Sequence, residues 1–582
     1  MAVRRGVGIV LVLIVAAIVV SAAGLMMMAV FVGREPLVAG GSTLVLRISG
    51  DLQETEPGGV IGQIFESQPT VRSLVEALRK AKVDRRISSV IIRPTGAAAL
   101  WGKVQEIRDA VTDFRTSGKP VIAYLEYGGE QEFYLASACD KVFLMPSASL
   151  DLTGVASYEL FLRGMLDKVG AYPDTLHIGQ YKTASNTFTE RTYTSAHLEM
   201  AQSLNADMYE QLVRGLADGR HKSEDEIRAL IDHGPFLPED AVRAGLVDDV
   251  AYEDELDDKV KLAPGAVTFL TESDYRRVSA ASLGLNRGPR IALIYATGMI
   301  ASGPSSYDSP SGQVVGSDTL IEYLRKARAD GSIKAIVLRI DSPGGSAIAS
   351  DVIWREVMLT RAVKPVIASM SDVAASGGYY IAMPAHAIVA EPATLTGSIG
   401  VVMLKFVIDG TLKKLGINME RVTSGRYADL YSPVRAFTPE ERAKVREQMQ
   451  ATYDTFVEKA ADGRHTTPER IDAVGQGRVW TGRQAREIGL VDELGGLDRA
   501  IAVAKQRARL PADSEVELVV YPGRKSIYEI VRNPLGGADS AAGAIGAMFG
   551  LRDVRSLQML AAPLHVFRRG EPLAIMPNVF VR

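Results

Sequence analysis

The sequence predicts a tandem-duplicated α/β protein preceded by one transmembrane helix. Three observations lead there. Segments along residues 73–248 recur along residues 319–492 at a nearly constant offset of 244 to 246 positions. Within each copy, amphipathic helical stretches alternate with short apolar runs, which is how a parallel sheet buried on both faces reads. Ahead of both copies, residues 6–33 contain no charged residue.

That uncharged stretch is longer than the roughly 20 residues needed to span a bilayer and well beyond the about 7–15 of a signal-peptide core. Val20-Ser21-Ala22 mimics a cleavage site, but the apolar run continues past it, so an uncleaved anchor is expected. Arg4 and Arg5 precede the span and only Arg34 follows closely. The positive-inside rule then places the N-terminus in the cytoplasm and the body outside. With 582 residues, the chain exceeds one core. The expected division is an anchor over 1–34, a first repeat over 42–254, a linker over 255–290, a second repeat over 291–510 and an extension over 511–582. A net charge of −3 gives no reason to expect a nucleic-acid partner. The single cysteine, Cys139, excludes an intramolecular disulfide and a cysteine-based metal site.

The repeat is specific. Residues 73–81 resemble 319–327, each an amphipathic helix leading to an apolar strand, 89–93 and 335–339. Residues 119–123 match 364–368, and Gly179-Gln180-Tyr181 faces Gly425-Arg426-Tyr427. Asp218-Gly219-Arg220-His221 matches Asp462-Gly463-Arg464-His465, and 245–248 matches 489–492. Features shared by both copies read as structural, His221 and His465 among them. Features in one copy alone need another explanation.

The second copy alone carries Ala375-Ser376-Gly377-Gly378, at the end of an apolar strand-like run and ahead of a helical one. Gln131 stands opposite Ser376, with Glu130 and Glu132 beside it. A serine on a tight turn, with small neighbours and the free N–H groups of a helix start, has the exposure and oxyanion donors of a nucleophile. The second copy alone also has Asp341-Ser342-Pro343-Gly344-Gly345 after a strand; its counterpart at 93–97 has lost the glycine pair. Gly344 and Gly345, with the N–H of Gly377, are the expected oxyanion hole. The first copy alone has Lys182, where the second has Ala428. Serine needs a base within hydrogen-bond reach. A lysine of ordinary pKa, about 10.4, is protonated at neutral pH, and burial lowers it by up to roughly 3–5 units. A base from one half and a nucleophile from the other is the expected composite site. Ser398, in Thr396-Gly397-Ser398-Ile399-Gly400, is the candidate to orient the lysine; Leu152 takes its place in the first copy. His386, the one histidine near Ser376 in sequence, would sit about 15 Å along the following helix, too far to serve as base.

Together, Asp341-Ser342-Pro343-Gly344-Gly345, Ala375-Ser376-Gly377-Gly378-Tyr379-Tyr380, 396–400 and Tyr181-Lys182 resemble serine peptidase family S49 in its long, duplicated signal peptide peptidase A form. The resemblance implies a ClpP/crotonase-like fold in each half and a Ser-Lys dyad with Ser376 as nucleophile and Lys182 as general base. It implies Ser398 bonded to the lysine, and no cofactor or metal. It further implies a homotetramer, anchored in the bacterial inner (cytoplasmic) membrane with the catalytic body on the periplasmic side. Such an enzyme degrades cleaved signal peptides and other apolar peptides. A non-catalytic membrane-anchored scaffold of the same fold is the alternative, and a crotonase-like acyl-CoA enzyme a third. Residues 535–582 match no family feature. The apolar run 572–576 leaves a terminal strand or an oligomer contact open.

Overall fold

The computed structural model describes residues 35–55, 69–256, 268–308, 312–523, 570–577 and 580–581. The anchor expected before residue 35 lies outside them. Among the described residues, no helix is long and apolar enough to cross a membrane.

Each half is built on one twisted sheet. In the first, the order is Asp249–Val250, Lys141–Leu144, Val121–Leu125, Ile87–Ala98, Ser42–Asp51 and Phe269–Thr271, all parallel. The second repeats it with Glu493–Leu494, Ala387–Ala390, Val366–Ala375, Ile333–Ser342, Arg290–Thr297 and Glu517–Tyr521, again parallel. Val366–Ala375 is buried at all ten positions, as a central parallel strand requires. The duplication extends to the helices. Val71–Val83 and Ser317–Ala329 both have 13 residues, Trp101–Arg115 and Ala347–Arg361 both 15, Ser195–Arg220 and Pro439–Arg464 both 26. His221 and His465 each end a 26-residue helix in left-handed geometry, φ 53° and 52°. The boundaries differ from expectation in two places. The linker expected over 255–290 supplies the edge strand Phe269–Thr271, and the extension expected over 511–582 supplies Glu517–Tyr521. Both strands are short, and only pairing to the sheet defines them.

The halves meet through buried charge. Arg339, fully buried on a second-half strand, donates to both oxygens of Glu54 at 2.8 and 2.9 Å and to Glu106 at 2.5 Å, both from the first half. Burial pushes the Glu54 carboxyl up, but the guanidinium outweighs it and holds it at about 2. Asp372, four residues before Ser376, caps a first-half helix: its oxygens accept from Leu100 N at 2.9 Å and Lys103 N at 2.8 Å. The strand carrying the serine is thereby fixed against the other half. In the first half, Arg93 occupies the place of Arg339 but pairs locally, with Glu126 and Glu253. Replacing Arg339 with Met strands two buried carboxyls. We expect a loss of about 3–5 kcal/mol in denaturant unfolding, and a much smaller loss for Glu126→Gln at the solvent-facing local pair.

Candidate active site

Ser376 is placed by the turn between Val366–Ala375 and the helix Gly377–Ala382. Its backbone is forced to φ 56°, ψ −111°, a sparsely populated conformation of the kind that accumulates at nucleophile turns. The turn is held by Ser376 N donating to Gly397 O at 2.8 Å and by Tyr380 N donating to Ser376 O at 2.8 Å. A Cβ on Gly377 would stand 2.7 Å from Ser350 Oγ and 3.1 Å from both Gly344 Cα and Gly345 N. Only glycine there lets the Gly344-Gly345 turn close against the helix start. Of the three expected oxyanion donors, Gly344 N instead donates to Ser342 Oγ at 3.2 Å, which leaves the N–H groups of Gly345 and Gly377 side by side.

Lys182 reaches this turn from the other half. The strand Leu176–Ile178 pairs antiparallel with Val401–Met403, so the first half adds an edge to a second-half sheet. Tyr181 N then donates to Gln476 O at 2.7 Å, and the lysine is delivered inward. Its Nζ lies 2.7 Å from Ser376 Oγ, 2.8 Å from Ser398 O and 3.0 Å from Ser398 Oγ. All three residues are fully buried. Burial pushes the Lys182 amine well below its ordinary range. A neutral amine has two N–H donors and one lone pair. Ser398 takes both donors, through its carbonyl and its hydroxyl, and the lone pair is left to accept the Ser376 proton. Ser398 itself is held at φ 51° by its N–H donating to Arg478 O at 2.7 Å.

Sequence reasoning thus named the residues that the structure brings together, but it missed the clamp around the lysine. A Cβ on Gly477 would stand 2.5 Å from the N, Cα and Cβ of Lys182, and one on Gly400 would stand 3.0 Å from its Cδ. Gly475-Gln476-Gly477 faces Ile231-Asp232-His233 in the first copy, so the comparison of halves that singled out Ser376 also contained this signal. His386 is remote for a different reason than expected. The helix after Ser376 ends at Ala382, and the chain returns to the start of the strand, where His386 Nδ1 accepts from Val366 N at 3.1 Å. A ten-residue strand, about 30 Å long, separates it from the serine. In the first half Gln131 lies within the helix Glu130–Ala136 and donates to Ala99 O at 3.2 Å; without a nucleophile, that turn lacks the positive φ of Ser376.

The family model for peptidase family S49 matches residues 113–265 and 358–511, one match in each half. The chain is 38% identical over 486 residues to the chloroplastic serine protease SPPA of Arabidopsis thaliana, covering 82% of this chain and 71% of that protein. It is 32% identical over 508 residues to Protease 4 of Salmonella typhi, covering 84% and 78%. A putative signal peptide peptidase SppA of Enterococcus faecium is 35% identical over 153 residues, covering 26% and 44%. With a buried serine and lysine in contact and these similarities along most of its length, the chain belongs to peptidase family S49 and is a serine protease.

Proposed function

We propose that this protein hydrolyses apolar peptides, cleaved signal peptides among them, through a Ser376–Lys182 dyad built across its two halves. The observation carrying the reading is the 2.7 Å approach of Lys182 Nζ to Ser376 Oγ from opposite copies of a duplicated domain. Ser376 Oγ attacks the scissile carbonyl while Lys182 takes its proton. The N–H groups of Gly345 and Gly377 receive the developing oxyanion. Lys182, now protonated, returns the proton to the leaving amine, and water hydrolyses the acyl-enzyme by the same steps. Ser398 keeps the amine aimed throughout. The uncharged segment 6–33 anchors the enzyme as a single span of the cytoplasmic membrane, body outside. Its substrates collect at that membrane because they are apolar. Copies assemble into a homo-oligomer, a tetramer by resemblance.

Hydrolysis of a labelled apolar peptide between about pH 6 and pH 10 tests the dyad. The active form is the neutral amine, so kcat/KM rises with pH through the Lys182 pKa and is lost as pH falls below it. We expect that limb below the ordinary lysine value of about 10.4. Ser376→Ala and Lys182→Ala should each lower kcat by at least about 10³-fold. Activity persisting in Lys182→Ala removes the lysine as base.

Gly477→Ala tests the clamp. The added methyl collides with the Lys182 backbone at a position where φ is 80°. Displacing the amine by about 1 Å should reduce kcat roughly 10²-fold, with KM and the circular dichroism spectrum close to wild type.

A further inference from the structure

A second set of copy-specific residues meets behind the nucleophile turn. Lys103 lies on the first-half helix Trp101–Arg115, and Ala349 takes its place in the second-half helix Ala347–Arg361. Asp341 and Asp372 belong to the second half, and the first half has Thr95 and Tyr127 in their places. A cation in one copy and carboxylates in the other repeats the distribution of Lys182 and Ser376. In the fold the three side chains converge. Lys103 Nζ stands 2.7 Å from Asp341 Oδ2 and 3.6 Å from Asp372 Oδ2. Lys103 and Asp372 are buried and Asp341 is mostly so. Burial opposes the charge on Lys103, but the two carboxylates outweigh it and hold the ammonium above its ordinary range. The helix start comes this close because residue 102 is glycine. A Cβ there would stand 3.0 Å from Ser371 O and 3.2 Å from Asp372 Cα.

The two carboxylates sit where the central strands part. Ile333–Ser342 and Val366–Ala375 pair in regular register as far as Ile340 and Met370, and next at Ser342 and Ala374. Asp341 alone therefore stands opposite Ser371-Asp372-Val373, an irregularity of the kind that re-aims strand ends beside active sites. Across it, Asp341 Oδ1 accepts from Val373 N at 3.2 Å. Beyond it, one strand runs into the Gly344-Gly345 turn and the other into Ser376-Gly377. The two turns touch, since a Cβ on Gly378 would stand 2.6 Å from Ser342 O. Each oxyanion donor thus follows closely on a carboxylate that Lys103 holds.

We infer that Lys103 is a positioning residue for the oxyanion hole: by bridging Asp341 and Asp372 it fixes, from the opposite half, the separation of the Gly345 and Gly377 N–H groups. It acts through the two turns and touches neither substrate nor reacting atoms. The inference rests on the dyad reading for the identity of the nucleophile those donors serve. Preorganised donors stabilise a transition state only where they meet the developing charge, so a small spreading of the turns is read in kcat.

The test compares wild type, Lys103→Met and the double variant Lys103→Met/Asp341→Asn, each as the full chain solubilised in detergent. Each is assayed with an apolar reporter peptide, unfolded in denaturant and titrated with two inhibitors of the reporter's sequence, a peptide aldehyde and the matching peptide alcohol. Ser376 Oγ bonds the aldehyde carbon, its proton passes to the base, and the carbonyl oxygen becomes the anion held by the N–H groups. The alcohol has no carbonyl and reports binding alone. Lys103→Met should lower kcat at least about tenfold, with KM within about twofold of wild type. Aldehyde affinity should fall by the same factor as kcat/KM, as it does for a transition-state analogue, while alcohol affinity holds. In the double variant the stranded carboxylate at 341 is gone, so the unfolding midpoint should return toward wild type while kcat stays low. This variant also keeps the test open should Lys103→Met unfold. A kcat that recovers together with stability, or aldehyde and alcohol affinities that fall together, overturns the inference. Failure of the dyad reading shows separately, as activity persisting in Lys182→Ala, because the aldehyde-to-alcohol comparison reads the oxyanion donors whichever group is the base.

Discussion

An amine buried without a counter-charge is the constraint on which the site depends. Lys182 is fully shielded, and burial is what lowers its pKa. A carboxylate in contact would have stabilised the ammonium and removed the base. The surroundings supply hydrogen-bonding groups with no formal charge: the hydroxyl and carbonyl of Ser398 as acceptors and the hydroxyl of Ser376 as donor. Charge is close by but spent elsewhere. Asp341 and Asp372 face Lys103, and Glu54 faces Arg339.

Burying a side chain that completely requires a seam, and the duplication provides one. The first half lends an edge strand, Leu176–Ile178, to a second-half sheet; the second half closes glycines over the lysine that follows. The Arg339 cluster and the Asp372 helix cap hold the halves at the spacing the dyad needs. Arg93 and Arg339 illustrate how the copies diverged. The first keeps its partners within its own half, whereas the second reaches across.

The same economy of edges explains the terminal strand. Without a strand between them, Gly344–Ser346 and Val401–Met403 would expose unpaired backbone on facing edges, and a chain that leaves such edges open invites any extended segment to pair with them. Here the segment is Leu573–Ile575. A five-residue apolar run near the end of a chain is compatible with a strand, a helix turn or a contact between copies, and nothing local distinguishes these. Only the presence of a gap one strand wide, formed by residues some 170 to 230 positions earlier, decides it.

Both parallel sheets, the paired helices and the residues Ser376, Lys182, Ser398 and Gly377 were legible in the sequence. They leave local marks: apolar runs, glycine turns, and differences between two copies that serve as each other's control. Gly477 left such a mark too, but a glycine's role depends on what approaches it, and the approaching backbone is nearly 300 residues away. The partners of Arg339, the cap on residues 100–103, the return of His386 to the far end of its strand and the seat of Leu573–Ile575 were decided by the tertiary structure alone. Each is a pairing between distant segments. Periodicity and turn chemistry report which residues will be buried or bent, whereas which buried group meets which is set by the packing of whole sheets.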